Sequence, residues 1–281
     1  MTLKLFATDL DGTLLRKDHS VSDFTRNTFD LAKKSGVEVI FATGRPTRWL
    51  PTVIKETRHQ GLIIGGNGTL LVDAHKMEVL HIDALDNAAA REVVNYMRSN
   101  IPDVMFAIEV LEEGDRKWDP EYGYHREPEF EERLPDPNNA DRRSIEEWLD
   151  LQEPIVKLLA RVKKPTMDVD TQIDLIKHDL VDLAEITTTG SSDFLLELSP
   201  VGVNKGSALA RLAIQKRLSA LEIAAVGDMP NDLSMISFAG YSAAIEGGHP
   251  QVVALADRVI PGPTYDGVAT WLSEIANLGA E

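Results

Sequence analysis

Residues 6–15 read FATDLDGTLL, with Asp9 and Asp11 two apart where a run of apolar and small residues stops. Three later stretches carry related chemistry. FATGR (41–45) offers Thr43, Gly44 and Arg45, VGVNKGSAL (201–209) offers Lys205, and VGDMPNDLSM (226–235) offers Asp228, Asn231 and Asp232. Carboxylates that gather in one place repel each other and need a cation. The chain has no cysteine, and none of its seven histidines falls in HxH or HxxxH spacing. That excludes thiolate chemistry and argues against a zinc site. An oxygen-only donor set suits Mg²⁺. A lysine and main-chain amides beside it suit phosphate. Together these groups fit phosphoryl transfer through an aspartyl-phosphate.

The chemistry requires elements that bring distant residues together. Residues 3–9, 37–43 and 61–68 read as continuous apolar strands, the first two separated by a helix over 22–35 with Ser22 as N-cap and Gly36 as stop. Buried strands alternating with helices predict an α/β fold, a Rossmann-like parallel sheet covered on both faces. LLVD (70–73) and EVLHI (78–82) read as a hairpin. After 197 the pattern resumes, with helices over 204–218, 231–239, 250–256 and 267–278 and strands at 223–228, 241–245 and 258–260. In such a sheet ligands sit beyond the carboxyl ends of the strands. Asp9, Asp11, Thr43, Gly44, Arg45 and Asp228 all fall there, and Lys205, Asn231 and Asp232 open helices nearby.

Between these flanks the pattern changes. Residues 83–196 carry a net charge of −14, against +2 for 1–82 and −4 for 197–281. This segment reads as an inserted α+β domain: a helix over 86–99, a half-exposed strand at 104–111, strands at 154–162, 184–189 and 193–199, and a helix over 168–180. From 112 to 137 the chain is charged, aromatic and aperiodic, so an irregular loop is expected. Arg116, Trp118, Tyr122, Tyr124, His125 and Arg126 in that loop suit a sugar ring or a second anion. The expected organisation is a catalytic core of 1–82 plus 197–281, with 83–196 as a lid that excludes water during attack.

The formal net charge of the 281-residue chain is −16. Nucleic acid and anionic membrane surfaces are disfavoured partners. No apolar run reaches the roughly 20 residues of a spanning helix, and the N-terminus lacks the features of a signal peptide. The expectation is a soluble, cytoplasmic protein, monomer or homodimer, acting on a small phosphorylated metabolite.

DLDGTLL, FATGR, VGVNKGSAL and VGDMPNDLSM, with IGGNGTLLVD (64–73) and YDGVATWL (265–272), resemble the motifs of the haloacid dehalogenase superfamily. The resemblance is closest to its Cof-type phosphatases, which carry a type IIB cap. It covers the two flanks; over 83–196 it extends only to size and layout. The resemblance implies Asp9 as nucleophile and Asp11 as general acid and base. It implies Mg²⁺ held by the Asp9 carboxylate, the Asp11 carbonyl and the Asp228 carboxylate, with Asp232 supporting the metal from behind or orienting a water. Phosphate would be bound by Thr43, Lys205 and the amides of Leu10, Asp11 and Gly44, with Asn231 contacting phosphate or fixing its loop. Arg45 would reach the substrate under the lid. The implied activity is hydrolysis of a phosphomonoester, with a sugar phosphate as the expected substrate. A phosphohexomutase-like phosphotransferase, with Lys163 and Lys164 near a second phosphate, and a catalytically silent ligand-binding homologue are the alternatives.

Overall fold

The computed structural model describes residues 2–111, 123–128, 130, 143–162, 167–188 and 195–278. In chain order the first part gives β1 (Leu5–Thr8), α1 (Asp23–Lys34), β2 (Glu38–Ala42), α2 (Leu50–Thr57), β3 (Leu62–Gly65), β4 (Leu70–Asp73) and β5 (Glu78–Ile82). The middle part gives α3 (Asn87–Asn100), β6 (Val104–Val110), β7 (Tyr124–Arg126), α4 (Ile145–Leu149), β8 (Ile155–Val162), α5 (Val169–Leu180), β9 (Glu185–Thr187) and β10 (Leu195–Ser199). The last part gives α6 (Lys205–Lys216), β11 (Ile223–Gly227), α7 (Leu233–Phe238), β12 (Tyr241–Ile245), α8 (Pro250–Leu255), β13 (Arg258–Ile260) and α9 (Gly267–Ile275).

The first sheet runs β13-β12-β11-β1-β2-β3-β4-β5. It is parallel from β13 to β3, and the β3–β4–β5 end is antiparallel. Alternation along β1 shows why its sequence is apolar throughout. Phe6 packs with the cluster under α1, α2 and α9, its ring 5.5 Å from Trp271. Leu5 and Ala7 join the opposite cluster under α6, α7 and α8. Both faces are covered, as parallel sheets require. The expected cap of α1 is in place, with Ser22 accepting from the Thr25 amide.

The second sheet, β7-β6-β8-β10-β9, is antiparallel. Helices α3, α4 and α5 cover one face, over Phe106, Ile108, Leu158, Ala160, Leu196 and Leu198. Its other face turns toward the first sheet, and Val156 and Leu111 join the core cluster there. The strand expected to be half-exposed, β6, is therefore buried at all seven positions. Strand β10 ends at Ser199, so the boundary expected at 196 falls inside a strand.

Other expectations change in detail. The third strand stops at Gly65, and Gly66–Gly68 form a tight turn in which Asn67 has φ 60. Helices α2 and α4 have no counterpart in the sequence reading. Within the expected irregular loop, Tyr124–Arg126 form β7, with Tyr124 and Arg126 buried and His125 stacked 3.7 Å from Trp148. Arg116, Trp118, Tyr122, Lys163 and Lys164 lie outside the described residues. No helix among the described residues is long and apolar enough to cross a membrane.

His59, just after α2, stacks 3.9 Å from Phe41. Burial lowers its pKa to about 4, against a raising hydrogen bond to the Leu62 carbonyl and with Lys33 adding to the fall. Between pH 6.5 and 4 the unfolded chain binds the proton and the folded chain does not, so this site costs stability as pH falls. Urea unfolding of wild type and His59→Gln should show the wild-type advantage shrinking by on the order of 3 kcal/mol between pH 7.5 and 4. An advantage that does not change with pH would mean that His59 titrates normally in the fold.

Candidate active site

Strand pairing sets the position of the first carboxylate. Thr8 of β1 lies beside Val226 of β11, and the Asp9 amide donates to the Val226 carbonyl at 3.0 Å. Asp9 thus leaves the sheet next to Gly227 and Asp228. The strand itself ends at Thr8, so Asp9 and Asp11 stand in the following turn. Both line the same cavity. Gly12 turns the chain away at φ 84, and a Cβ there would lie 2.3 Å from Asp228 Oδ2.

Lys205 enters from the first turn of α6, whose N-cap Asn204 forms a reciprocal capping box with Ser207. Its side chain has no exposed surface, and its Nζ donates to Asp9 Oδ1 and to Asp232 Oδ1, each at 2.6 Å. Asp232 Oδ2 accepts from the amides of Asp228 and Met229 at 3.0 Å each. Both Asp232 oxygens are therefore engaged by the protein. Thr13 Oγ1 donates to Asp228 Oδ1 at 2.8 Å. Neither Asp9 Oδ2 nor Asp228 Oδ2 has a hydrogen-bond partner among the described residues.

Carboxylate oxygens of Asp9, Asp228 and Asp232 all lie within 4.8 Å of one another. Three carboxylates against one ammonium leave a net charge of −2 in a buried space. Burial raises the Asp9 pKa well above the usual carboxylate range; Lys205 pulls it down, and Asp232, Asp228 and Asp11 push it up again. Asp228 is raised to about 6, first by burial and then by Asp232. Burial opposes the charge on Lys205, but Asp232 and Asp9 outweigh it and hold the ammonium above its ordinary value. The uncompensated charge and the two unengaged oxygens, with no sulfur or imidazole beside them, fit a hard divalent cation.

Over Asp9 lies a cavity of about 390 Å³. Thr43, Gly44 and Arg45 form one wall. Thr43 Oγ1 accepts from the Arg45 amide at 3.1 Å, and its carbonyl accepts from the Asn67 amide at 3.0 Å. Arg45 forks onto Asp11, Nε to Oδ2 at 2.6 Å and Nη2 to Oδ1 at 2.5 Å. Nη2 also donates to His19 Nδ1 at 2.9 Å, which leaves the His19 proton on Nε2. Leu10 is buried, its carbonyl accepting from the amides of Leu14 and Leu15. Asn231 Nδ2 donates to Asn67 Oδ1 at 3.0 Å. The ten residues expected at the metal and phosphate site thus gather at one end of the parallel sheet.

Others were not singled out. His19, Arg48, Trp49, Lys157 and Glu197 also line the cavity. Lys157 and Glu197 come from β8 and β10 of the second sheet. Lys157 Nζ donates to Glu197 Oε1 at 2.6 Å and to the Gly44 carbonyl at 2.7 Å. Glu109 of β6 accepts from Arg48 at 2.8 Å, and the Arg48 guanidinium lies 4.0 Å from the Tyr124 ring centre and 4.4 Å from that of Trp49. The available signal was a charge inside each of three otherwise apolar stretches: Glu109, Lys157 and Glu197.

The chain matches the model of the haloacid dehalogenase-like hydrolase family over residues 6–272. It is 27% identical to the phosphatase YwpJ of Bacillus subtilis, over 97% of this chain and all of that one. It is 27% identical to an HMP-PP phosphatase of Yersinia enterocolitica, over 89% of this chain and 86% of that one. Among solved structures, a haloalkanoate-superfamily phosphatase of Bacteroides thetaiotaomicron, BT1666, superposes with a TM-score of 0.77 at 22% identity, covering 98% of this chain and 95% of that one. The subclass IIB sugar phosphatase BT4131 superposes with a TM-score of 0.75 at 17% identity, covering 96% and 98%. By the extent of the family match and the phosphatases it aligns with end to end, the chain belongs to the haloacid dehalogenase-like hydrolases and is a phosphatase of their Cof-type group.

Proposed function

We propose that the protein is a Mg²⁺-dependent phosphomonoester hydrolase that works through an aspartyl-phosphate at Asp9 on a small metabolite, with a sugar phosphate as substrate. The observation that carries this reading is the buried Lys205 ammonium shared by Asp9 and Asp232, with Asp228 alongside. A cavity of about 390 Å³ is of a size to take a phosphate with a monosaccharide-sized leaving group, which supports a small substrate. The second sheet and its helices serve as the cap over it.

In this reading the Asp9 carboxylate attacks the phosphorus while Lys205 holds it in place. The ester bond breaks, and the leaving oxygen takes a proton from Asp11. Water then attacks the phosphorus of the aspartyl-phosphate, Asp11 takes its proton, and inorganic phosphate leaves with Asp9 restored. Arg45 must release Asp11 for this, and an incoming anion gives the guanidinium another partner. Thr43, Lys205 and the amides of Leu10, Asp11 and Gly44 bind phosphate oxygens, and Asn231 fixes its loop through Asn67. The Asp9 and Asp228 carboxylates and the Asp11 carbonyl would hold Mg²⁺, with Asp232 bracing the loop. When bound, the ion neutralises charge on the carboxylates and the transferring phosphoryl group.

Three outcomes test this. Asp9→Asn should lower phosphate release from p-nitrophenyl phosphate and a sugar-phosphate panel by at least about a thousandfold, and chelation of divalent cations should do the same to wild type. Activity that survives either treatment rejects the mechanism. Mg²⁺ at about a hundred times its Kd should stabilise the wild-type chain by roughly 2.7 kcal/mol, read as a rise in Tm at pH 7.5, and Asp228→Asn should remove most of that rise. Gly12→Ala should cost at least about tenfold in activity, because the new Cβ displaces the Asp228 carboxylate; wild-type turnover in this variant would mean that the close approach is not needed.

A further inference from the structure

Lys157 and Glu197 are 6% and 4% exposed, and they form an ion pair inside the second sheet. Such pairs are weak contributors to stability, since apolar residues of similar volume commonly serve as well or better. The pair is also not self-contained. Lys157 reaches the Gly44 carbonyl at one lip of the phosphate site. Glu197 Oε2 accepts from Asn67 Nδ2 at 2.5 Å, and Asn67 Oδ1 accepts from Asn231 Nδ2, on the loop between Asp228 and Asp232. A continuous polar chain, Gly44–Lys157–Glu197–Asn67–Asn231, thus joins the two lips of the site through the second sheet.

Asn67 is the pivot. It holds a left-handed backbone at φ 60, between Gly66 at φ 54 and Gly68 at φ 112. A non-glycine residue in that region is uncommon and is kept where its surroundings demand it. Here the demand is visible. The Asn67 amide donates to the Thr43 carbonyl and the Gly66 amide to the Arg45 carbonyl, so the turn also grips the phosphate wall. A Cβ on Gly68 would lie 2.3 Å from the Asn204 carbonyl, just before Lys205. The turn therefore touches the segments that carry Thr43, Lys205 and Asn231, and through Glu197 it is bonded to the second sheet.

We propose that Lys157, Glu197 and Asn67 are positioning residues that make the geometry of the phosphate site depend on the docking of the second sheet. None of them takes part in bond making. With the sheet seated, Gly44 and Asn231 are held at the spacing that phosphate needs. With it lifted, Glu197 and Lys157 leave, and both lips lose a tether. Phosphate is then gripped while the site is closed and released when it opens. This inference rests on the reading of the site as a phosphate-ester hydrolase.

Two variants of the full-length chain test it. Asn67→Gly keeps the left-handed backbone and cuts the link between Glu197 and Asn231. Lys157→Met combined with Glu197→Met keeps the volume and removes the pair without stranding a charge. Each should leave Tm within about 3 °C of wild type. Each should lower kcat by about 10- to 100-fold and weaken binding of inorganic phosphate, measured calorimetrically with MgCl2 present, by about tenfold, with a smaller change in KM. Wild-type kcat and phosphate affinity in either variant would overturn the proposal. Activity lost only in proportion to a lower Tm in both would overturn it too, since the chain would then serve the fold alone. Phosphate affinity requires no turnover. An inactive wild-type chain would therefore refute the hydrolase reading, while the variants would still decide on the relay through their phosphate affinity.

Discussion

The ammonium of Lys205 carries its charge with no part of its side chain exposed, and two carboxylates 2.6 Å away keep it there. An isolated ammonium in that position would shed its proton, because burial disfavours the charged form. Asp9 and Asp232 reverse the balance, and the shared contact fixes where both carboxyl groups stand. Asp9 comes from the end of β1, Lys205 from the first turn of α6 and Asp232 from the loop after β11, so one charge cluster ties together segments some 200 residues apart in sequence. The parallel order β11-β1-β2 is what makes this possible, since it delivers three strand ends to the same side of the sheet.

The cluster is incomplete by itself. One positive charge cannot balance three negative ones, and the raised pKa values of Asp9 and Asp228 express first their burial and then that deficit. A protein selected for stability alone would place fewer carboxylates here. Retaining them leaves a charge deficit that a cation held between them would relieve. The packing that tolerates the deficit lies behind it, where Leu5, Ala7 and Leu209 are wholly buried on one face and Phe6, Phe41 and Leu70 on the other.

The sequence disclosed this part of the molecule because its signals are local. DLDGT, ATGR and GDMPND each combine an apolar strand with polar residues at its end, and strand direction does the rest. The capped start of α1 at Ser22 is legible for the same reason. Helix α2 was not, because its Leu50, Val53 and Thr57 face inward from a segment that opens with two prolines and an arginine and shows little periodicity. Strand β6 was misjudged for a different reason. VMFAIEV alternates in size and polarity, as a half-exposed strand does, yet its second face lies against the rest of the molecule. Whether that face meets water or protein depends on how the two sheets are set against each other, and no local pattern encodes it.

Glu109, Lys157 and Glu197 show how tertiary placement converts such a pattern into meaning. Glu109 and Glu197 are the only charges of their strands, Lys157 shares its strand with Arg161, and β6, β8 and β10 are neighbours in the second sheet. Register puts Glu109 opposite Lys157, and Glu197 opposite Leu159 two residues further on. All three fall on the face that no helix covers. On an isolated sheet they would be ordinary solvated residues; set against the first sheet they are buried, and burial obliges each to find a partner. Arg48, the Gly44 carbonyl and Asn67 are those partners; Arg48 and Gly44 line the cavity over Asp9, and Asn67 is bonded to Asn231, which lines it too. The same polar groups that would penalise an undocked sheet least, because water can solvate them, reward a docked one through specific bonds. A seam made of apolar contacts alone would favour closure whether or not the lips were in register. A seam made of hydrogen bonds to a carbonyl, a guanidinium and an amide favours only the closure that aligns them.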